Sequence, residues 1–276
     1  MKVGLIDLDA KLPNLALMKL KSHYPEAELT FPLFCSGYDE VYASSIFKFS
    51  DKRYIRSNVI PGGTGFDITS RLPADIEKCQ PDYSLYPKCR FSWQRFTYGC
   101  IRKCGFCVSW KMGEFQELEP MNLNPAGKYI YLLDNNFFAS VNWKENIGYL
   151  VRQNKPVKFE GIDARIIAEN DEMLYLLDKV KLKGRMHTAW DIPSIDMMPK
   201  FKKIIKVIKP YKIMCYVLVG FDSTPEDDLH RVLFLDAIGI DPFVMPFNKR
   251  DRYVERFARW VNHKAIFKSV KWEDYK

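Results

Sequence analysis

Long apolar runs are missing from this 276-residue chain. The longest, Ile213 to Phe221, falls well short of the about 20 residues that cross a bilayer, so no membrane-spanning helix is expected. The apolar start Val3–Ile6 is broken at once by Asp7 and Asp9, which argues against a secretory signal. Low-complexity tracts are absent, and a hydrophobic share of 47% excludes a disordered chain. Histidine is scarce. The four, His23, His187, His230 and His263, show no metal-ligand spacing; His187 reads as a core residue, with a pocket-facing position as the alternative. The glycine-rich turn Gly62-Gly63-Thr64-Gly65 lacks the Lys-Ser/Thr that would make it a phosphate loop. Cysteine is present in an odd number, seven, with no sign of secretion. That combination points to a reducing, cytoplasmic compartment in which some thiols bind metal or do chemistry.

The remaining pattern is that of an α/β protein. Residues 1–70 alternate strand and helix signals in a small Rossmann-like segment. Lys2–Ile6 and Val41–Phe47 read as strands, Leu15–His23 as a helix, and Asn58–Ile60 enters the glycine turn. Residues 71–94 hold prolines, Cys79 and Cys89 with little periodicity and read as a linker. From 95 to 250, strands are expected near Arg95, Tyr129, Val157, Met186, Ile213 and Pro242, spaced close to the roughly 30 residues of a βαβ step. Met173, Leu176, Leu177 and Val180 mark a helix that Gly184 would cap. Thr224-Pro225-Glu226-Asp227 offers an N-cap, a proline at N1 and an acidic capping-box partner. Six such steps with right-handed crossovers predict a partial (βα)6 TIM-like barrel, and a doubly wound open sheet is the alternative. Residues 251–276 read as a basic helical segment.

Cys100-Ile-Arg-Lys-Cys104-Gly-Phe-Cys107 is the most informative stretch, because it follows the first strand of the repeat, where α/β barrels place their active-site loops. Three thiolates spaced C-x3-C-x2-C can hold three corners of a [4Fe–4S] cluster and leave one iron without a protein ligand. The alternative is a zinc or electron-transfer site completed by Cys35, Cys79, Cys89 or Cys215; no second C-x2-C pair favours it. Polar residues also follow the apolar strands. Asp134-Asn135-Asn136 ends the second, Gly161-Ile162-Asp163-Ala164-Arg165 follows the third, and Asp191 ends the fourth. They predict a polar binding mouth, with helix capping as the alternative for each.

In this motif and its position the chain resembles the radical S-adenosylmethionine superfamily over roughly residues 91–250, with Phe106 before the third cysteine. The resemblance implies a [4Fe–4S] cluster on Cys100, Cys104 and Cys107, whose open iron chelates the methionine end of S-adenosylmethionine. Reductive cleavage would then give a 5′-deoxyadenosyl radical that abstracts hydrogen from substrate, with electrons from flavodoxin or ferredoxin. It implies that Asp134 and Asn136 receive the amino group, although the usual Gly-Gly-Glu form is absent. It implies that Arg165 binds the methionine carboxylate, with a surface salt bridge as the alternative, that Asp163 belongs to the same cofactor site, and that Asp191 meets the ribose hydroxyls. Gly220 and Glu226 match the strand-five G-x-x-x-x-x-E pattern on the adenine side, where Val244 and Met245 of strand six would close over the base.

Val59-Ile60-Pro61-Gly62-Gly63-Thr64-Gly65 resembles the cobalamin-binding domain attached to many members of that superfamily. The D-x-H-x-x-G motif that supplies histidine to cobalt is missing, so a degenerate remnant that only packs on the barrel is favoured over a cobalamin site. A cobalamin-dependent methyltransferase acting on a small molecule or peptide is one alternative function. A non-enzymatic iron–sulfur or zinc protein that binds nucleic acid is another. The net charge of +8 and the basic stretches Lys202–Lys212 and Lys249–Lys264 admit a nucleic acid or nucleotide as substrate. Solvated helix faces whose Tyr253, Phe257 and Trp260 pack inward are the favoured reading of those stretches.

Overall fold

The structure is a computed structural model that describes residues 1–275. It is a mixed α/β chain built on parallel sheets. In the N-terminal segment, β1 (Val3–Asp7), α1 (Leu15–His23), β2 (Glu28–Leu29), β3 (Glu40–Ser44) and β4 (Ile60–Gly62) form a four-stranded parallel sheet in the order β2-β1-β3-β4. Val3, Leu5 and Ile6 are buried on both faces of β1, as a covered parallel strand requires. Asn14 caps α1, accepting from Ala16 N and Leu17 N, and its amide donates to Ser44 Oγ at 2.8 Å. The β3 strand ends at Ser44 and does not reach Phe47. Asp9 draws the chain out of the ladder there, accepting from Ile46 N at 2.7 Å and Phe47 N at 3.1 Å. Gly63 sits at φ +87°, where a Cβ would lie 2.5 Å from Ser45 O, so only glycine fits this turn.

The linker region is shorter than its composition implies. It holds a one-turn helix, α2 (Ala74–Glu77), and its last residues are already β5 (Phe91–Gln94), a strand that begins before Arg95. All four β5 residues are buried, and Phe91-Ser92-Trp93-Gln94 alternates apolar and polar over only four residues directly after the proline-rich stretch. A small antiparallel ribbon, β6 (Thr97–Tyr98) with β7 (Gln116–Glu117), then brackets the cysteine loop.

The repeat continues through β8 (Tyr129–Leu132), α3 (Trp143–Arg152), β9 (Val157–Lys158), α4 (Ala164–Ala168), α5 (Asp171–Asp178) and β10 (Met186–Ala189). It ends with α6 (Met198–Ile204), β11 (Ile213–Val219), α7 (Pro225–Ala237), β12 (Asp241–Pro246), α8 (Arg252–Asn262) and α9 (Lys264–Ser269). These strands make two three-stranded parallel sheets, β5-β8-β9 and β10-β11-β12. His187 N donates to Phe159 O at 3.3 Å and Ile162 N to His187 O at 3.2 Å, so hydrogen bonding continues from the end of one sheet to the start of the other.

The expected capping box at Thr224 is present: Asp227 N donates to Thr224 Oγ1 at 3.2 Å, and Thr224 N to Asp227 Oδ2 at 2.9 Å. Gly184 does not cap α5, which ends at Asp178; its φ of +80° serves the turn into β10. The main core gathers the helix-facing sides of both sheets with the inner face of α8, where Phe257 and Trp260 are buried. Those two rings are therefore withdrawn from any base-stacking role. Several of the lysines are spent locally: Lys203 pairs with Asp171 at 2.9 Å and Lys212 with Asp178 at 3.1 Å. Among the described residues no helix is long and apolar enough to cross a membrane.

Candidate functional site

The cysteine loop leaves β6 through Gly99, whose φ of +75° and tight approach to Glu114 O, 2.9 Å from a would-be Cβ, demand glycine. A single 3-10 turn, Ser109–Met112, follows the three cysteines within the loop. Cys107 N donates to Cys104 O at 3.0 Å, and Trp110 Nε1 donates to the same carbonyl at 3.1 Å. Two sulfurs already accept backbone N–H groups: Arg102 N to Cys100 Sγ and Ser109 N to Cys107 Sγ, both at 3.4 Å. Burial pushes the Cys104 thiol up, opposed by the nearby Arg165 guanidinium. Phe106 meets Phe221 edge-on at 5.4 Å between ring centroids, fixing the loop against the end of β11.

All three cysteines line one cavity of about 220 Å³. Of the other expected residues, Phe106, Asn136, Asp163, Arg165 and Asp191 line it too. Asp163 caps α4 and also ties two cations to the cavity wall. Its oxygens take Arg165 Nε at 2.8 Å, Arg165 Nη2 at 2.9 Å and Arg102 Nε at 2.7 Å. Burial alone would raise this carboxyl, but the bonds from Arg165 and Arg102 outweigh it and hold it below its ordinary value. Asp191 is the opposite case. Burial pushes it up to about 6, against the Leu218 N–H at 3.1 Å and the charges of Arg231 and Arg165. The side-chain oxygen of Asn136 is buried without a hydrogen-bond partner, a cost that a ligand N–H in the cavity would remove.

Five expected residues lie elsewhere. Asp134 turns inward, its Oδ1 accepting from Phe96 N at 3.0 Å, Thr97 N at 2.7 Å and Thr97 Oγ1 at 2.8 Å. It shapes the approach to the cysteine loop and does not line the cavity. Gly220, at φ +82°, is required by helix packing, because a Cβ would lie 2.7 Å from Val254 Cγ2. Glu226 is exposed in the first turn of α7, where it complements the helix dipole. Val244 is fully buried and locked to α8 by Asn262, whose side chain bonds both its N–H and its C=O. Met245 is 43% exposed, outside the cavity.

A polar network that sequence reasoning missed occupies the cavity wall. Glu160 Oε2 lies 2.5 Å from His187 Nδ1, and its Oε1 accepts from Lys158 Nζ at 2.6 Å and Tyr131 OH at 2.8 Å. Tyr216 OH lies 3.2 Å from the same histidine nitrogen. Burial alone would raise Glu160, but the bonds from His187, Lys158 and Tyr131 hold it down to about 2. His187 thus faces the cavity. The only local signal for Glu160 was a carboxylate between a strand and Gly161, whose Cβ would lie 2.5 Å from Asp134 O.

Asp134 yields a pH-dependent expectation. Burial pushes it up to about 6, above its ordinary 3.8, with the bonds from Thr97 and Phe96 opposing. Between about pH 4 and 6 the folded chain holds this proton and the unfolded chain does not, so stability falls as pH rises through that window. Asp134→Asn keeps the acceptor and removes the buried charge. It should raise stability at pH 7 by about 1–3 kcal/mol and flatten the pH 4–6 slope, as read by urea unfolding.

Three thiols on one loop are chemically suited to three corners of an iron–sulfur cluster. Three thiols share the cavity, and Cys35, Cys79, Cys89 and Cys215 do not reach it. Among the described residues no three His, Cys, Asp or Glu side chains converge on one metal ion, the three loop cysteines included. A second cavity, of about 660 Å³, lies between the N-terminal segment and β5 and β8, and includes Gly62, Gly63 and Thr64. No histidine is among its lining residues. Compared with known proteins, the chain matches no family model and no curated protein.

Proposed function

We propose that this chain is a radical S-adenosylmethionine enzyme. The observation that carries the reading is the meeting of the C-x3-C-x2-C loop with Asn136, Arg165 and Asp191 around one cavity that no fourth cysteine reaches. Six parallel strands, taken in chain order as β5-β8-β9 and β10-β11-β12 with helices between them, support the partial-barrel frame.

Cys100, Cys104 and Cys107 would hold a [4Fe–4S] cluster. When bound and reduced, such a cluster supplies the electron that splits the sulfonium of S-adenosylmethionine, leaving a 5′-deoxyadenosyl radical to take hydrogen from substrate. The chain's own residues bind and orient. Arg165, braced by Asp163, presents its guanidinium to the methionine carboxylate; Asp163 is therefore a positioning residue. The unpartnered Asn136 oxygen accepts from the amino group. Asp191, raised to about 6 by burial, gains most from a pair of ribose hydroxyls that solvate its charged form. Glu160 fixes the His187 ring in the wall of the same cavity. The substrate is taken as an unidentified hydrogen donor, with a nucleic acid or nucleotide as the class suggested by the basic composition.

Equilibrium dialysis of labelled S-adenosylmethionine tests the binding half of this reading. Anaerobically reconstituted protein should retain it, the cluster-free chain should not, and Asp191→Ala should weaken retention about tenfold, equivalent to about 1.4 kcal/mol. Equal retention by the cluster-free chain, or none by the reconstituted one, contradicts the reading.

A further inference from the structure

The second cavity carries a charge problem that the first does not explain. Its walls are mainly apolar and aromatic, with Trp93, Tyr98 and Tyr131 among them, yet two arginines face into it. The Arg71 guanidinium stacks 3.4 Å from the Tyr98 ring centroid, and that of Arg95 lies 5.2 Å from the same ring. Among the described residues, the arginines that form ion pairs are Arg53, Arg102, Arg165, Arg185 and Arg231; Arg71 and Arg95 form none. Arg95 Nε is buried with no hydrogen-bond partner. The nearby acids are engaged elsewhere. Glu77 pairs with Lys19 at 2.7 Å, and Asp134 bonds Thr97 and Phe96 while facing Arg95 without a hydrogen bond to it.

A guanidinium does not lose its proton in a protein, and a charge withdrawn from water needs a partner. The buried Nε of Arg95 has no such partner within the chain, and the exposed Arg71 beside it adds a second, solvated guanidinium that the same ligand can engage. Two arginine forks on one tyrosine suit a phosphate or carboxylate, and the aromatic walls suit a flat apolar body.

We propose that the cavity between the N-terminal segment and β5 and β8 binds an organic anion, a planar aromatic or apolar body carrying a phosphate or carboxylate group, with Arg71 and Arg95 taking the anion and Trp93, Tyr98 and Tyr131 the body. This site contains none of the three loop cysteines, although it borders their loop through Met112 and Gly113, and Tyr131 links the two cavities by its hydrogen bond to Glu160.

Isothermal titration of the full chain with 1-naphthyl phosphate tests the site, with inorganic phosphate and 1-naphthol as the separate halves of the probe. The expected result is one site per chain for 1-naphthyl phosphate, with each half at least tenfold weaker. Arg95→Met and, separately, the exposed Arg71→Gln should each weaken the probe at least tenfold, whereas Cys104→Ala should leave its binding unchanged. 1-Naphthoate compared with 1-naphthyl phosphate tells a carboxylate ligand from a phosphate one by which binds tighter. The proposal is overturned if neither aromatic anion binds at millimolar concentration, or if binding survives both arginine replacements. It is also overturned if the aromatic anion binds no better than inorganic phosphate. Because Arg71 is at the surface, its variant keeps the test informative even if Arg95→Met fails to fold.

Discussion

Arg231→Met should destabilise the chain by about 3–5 kcal/mol, the largest single-site loss expected outside the aromatic core. Arg231 and Asp228, one turn apart on α7, are each only 1% exposed and pair at 2.6 Å. The guanidinium also donates to Trp190 O at 2.7 Å, Leu218 O at 3.0 Å and Asp227 O at 3.3 Å. It therefore clamps the ends of β10 and β11 to the helix that crosses behind them. Removing it strands a buried carboxylate, left with the hydroxyls of Tyr253, at 3.0 Å, and Ser223, and leaves two strand-end carbonyls without that donor. Trp190 immediately precedes Asp191, and the N–H of Leu218 is the one bonded to that carboxylate, so the loss should also weaken S-adenosylmethionine retention. Urea unfolding at unchanged slope measures the effect. The double variant Arg231→Met/Asp228→Leu should recover part of the loss, because it removes the stranded charge. A loss under about 1 kcal/mol would mean that the clamp is not structural.

The second large effect concerns the ligand set. Alanine at Cys100, Cys104 or Cys107 should each reduce reconstituted iron and sulfide to less than about a tenth of the parent's, since a cluster held at only two corners is poorly retained. Serine at Cys35, Cys79, Cys89 or Cys215 should leave iron content unchanged. The control set matters. Cys35, Cys89 and Cys215 are buried away from the loop, and the Cys79 sulfur lies near His23, 4.0 Å from its Nδ1. If replacing Cys79 or Cys89 removed the cluster as thoroughly, a fourth protein ligand would close the iron that the proposed chemistry needs open.

What could be read from sequence was whatever is written locally. Thr224-Pro225-Glu226-Asp227 states its capping box within four consecutive residues, and the structure builds it. The cysteine spacing likewise carries its own meaning, and the loop reaches the cavity with Arg165, Asn136 and Asp191. Where strand and helix signals blurred, the errors were small. The β5 strand begins at Phe91, four residues before the expected Arg95, and β9 starts at the expected Val157 but is only two residues long.

The harder failures depended on pairing across the fold. Ala189 pairs with Tyr216 only through the β10–β11 register, which brings Tyr216 beside His187; nothing near residue 216 announces it. Asp134 and Asn136 stand two apart in one polar run, yet the first bonds the backbone at Phe96 and Thr97 and the second lines the cavity. Gly220 and Val244 matched a sequence pattern, but their space is taken by Val254 and Asn262 of α8, residues that no local pattern could place there. The unpaired state of Arg95 is of the same kind, because it follows from where Asp134 and Glu77 have already been spent.

The most direct test of the central claim is product formation by the parent chain. Anaerobically reconstituted protein, reduced with dithionite and supplied with S-adenosylmethionine, is analysed by chromatography for 5′-deoxyadenosine and methionine. The account predicts both products in equal amounts, dependent on reductant and absent from Cys104→Ala protein. A parent chain that holds its cluster yet forms no more 5′-deoxyadenosine than the Cys104→Ala variant would contradict it.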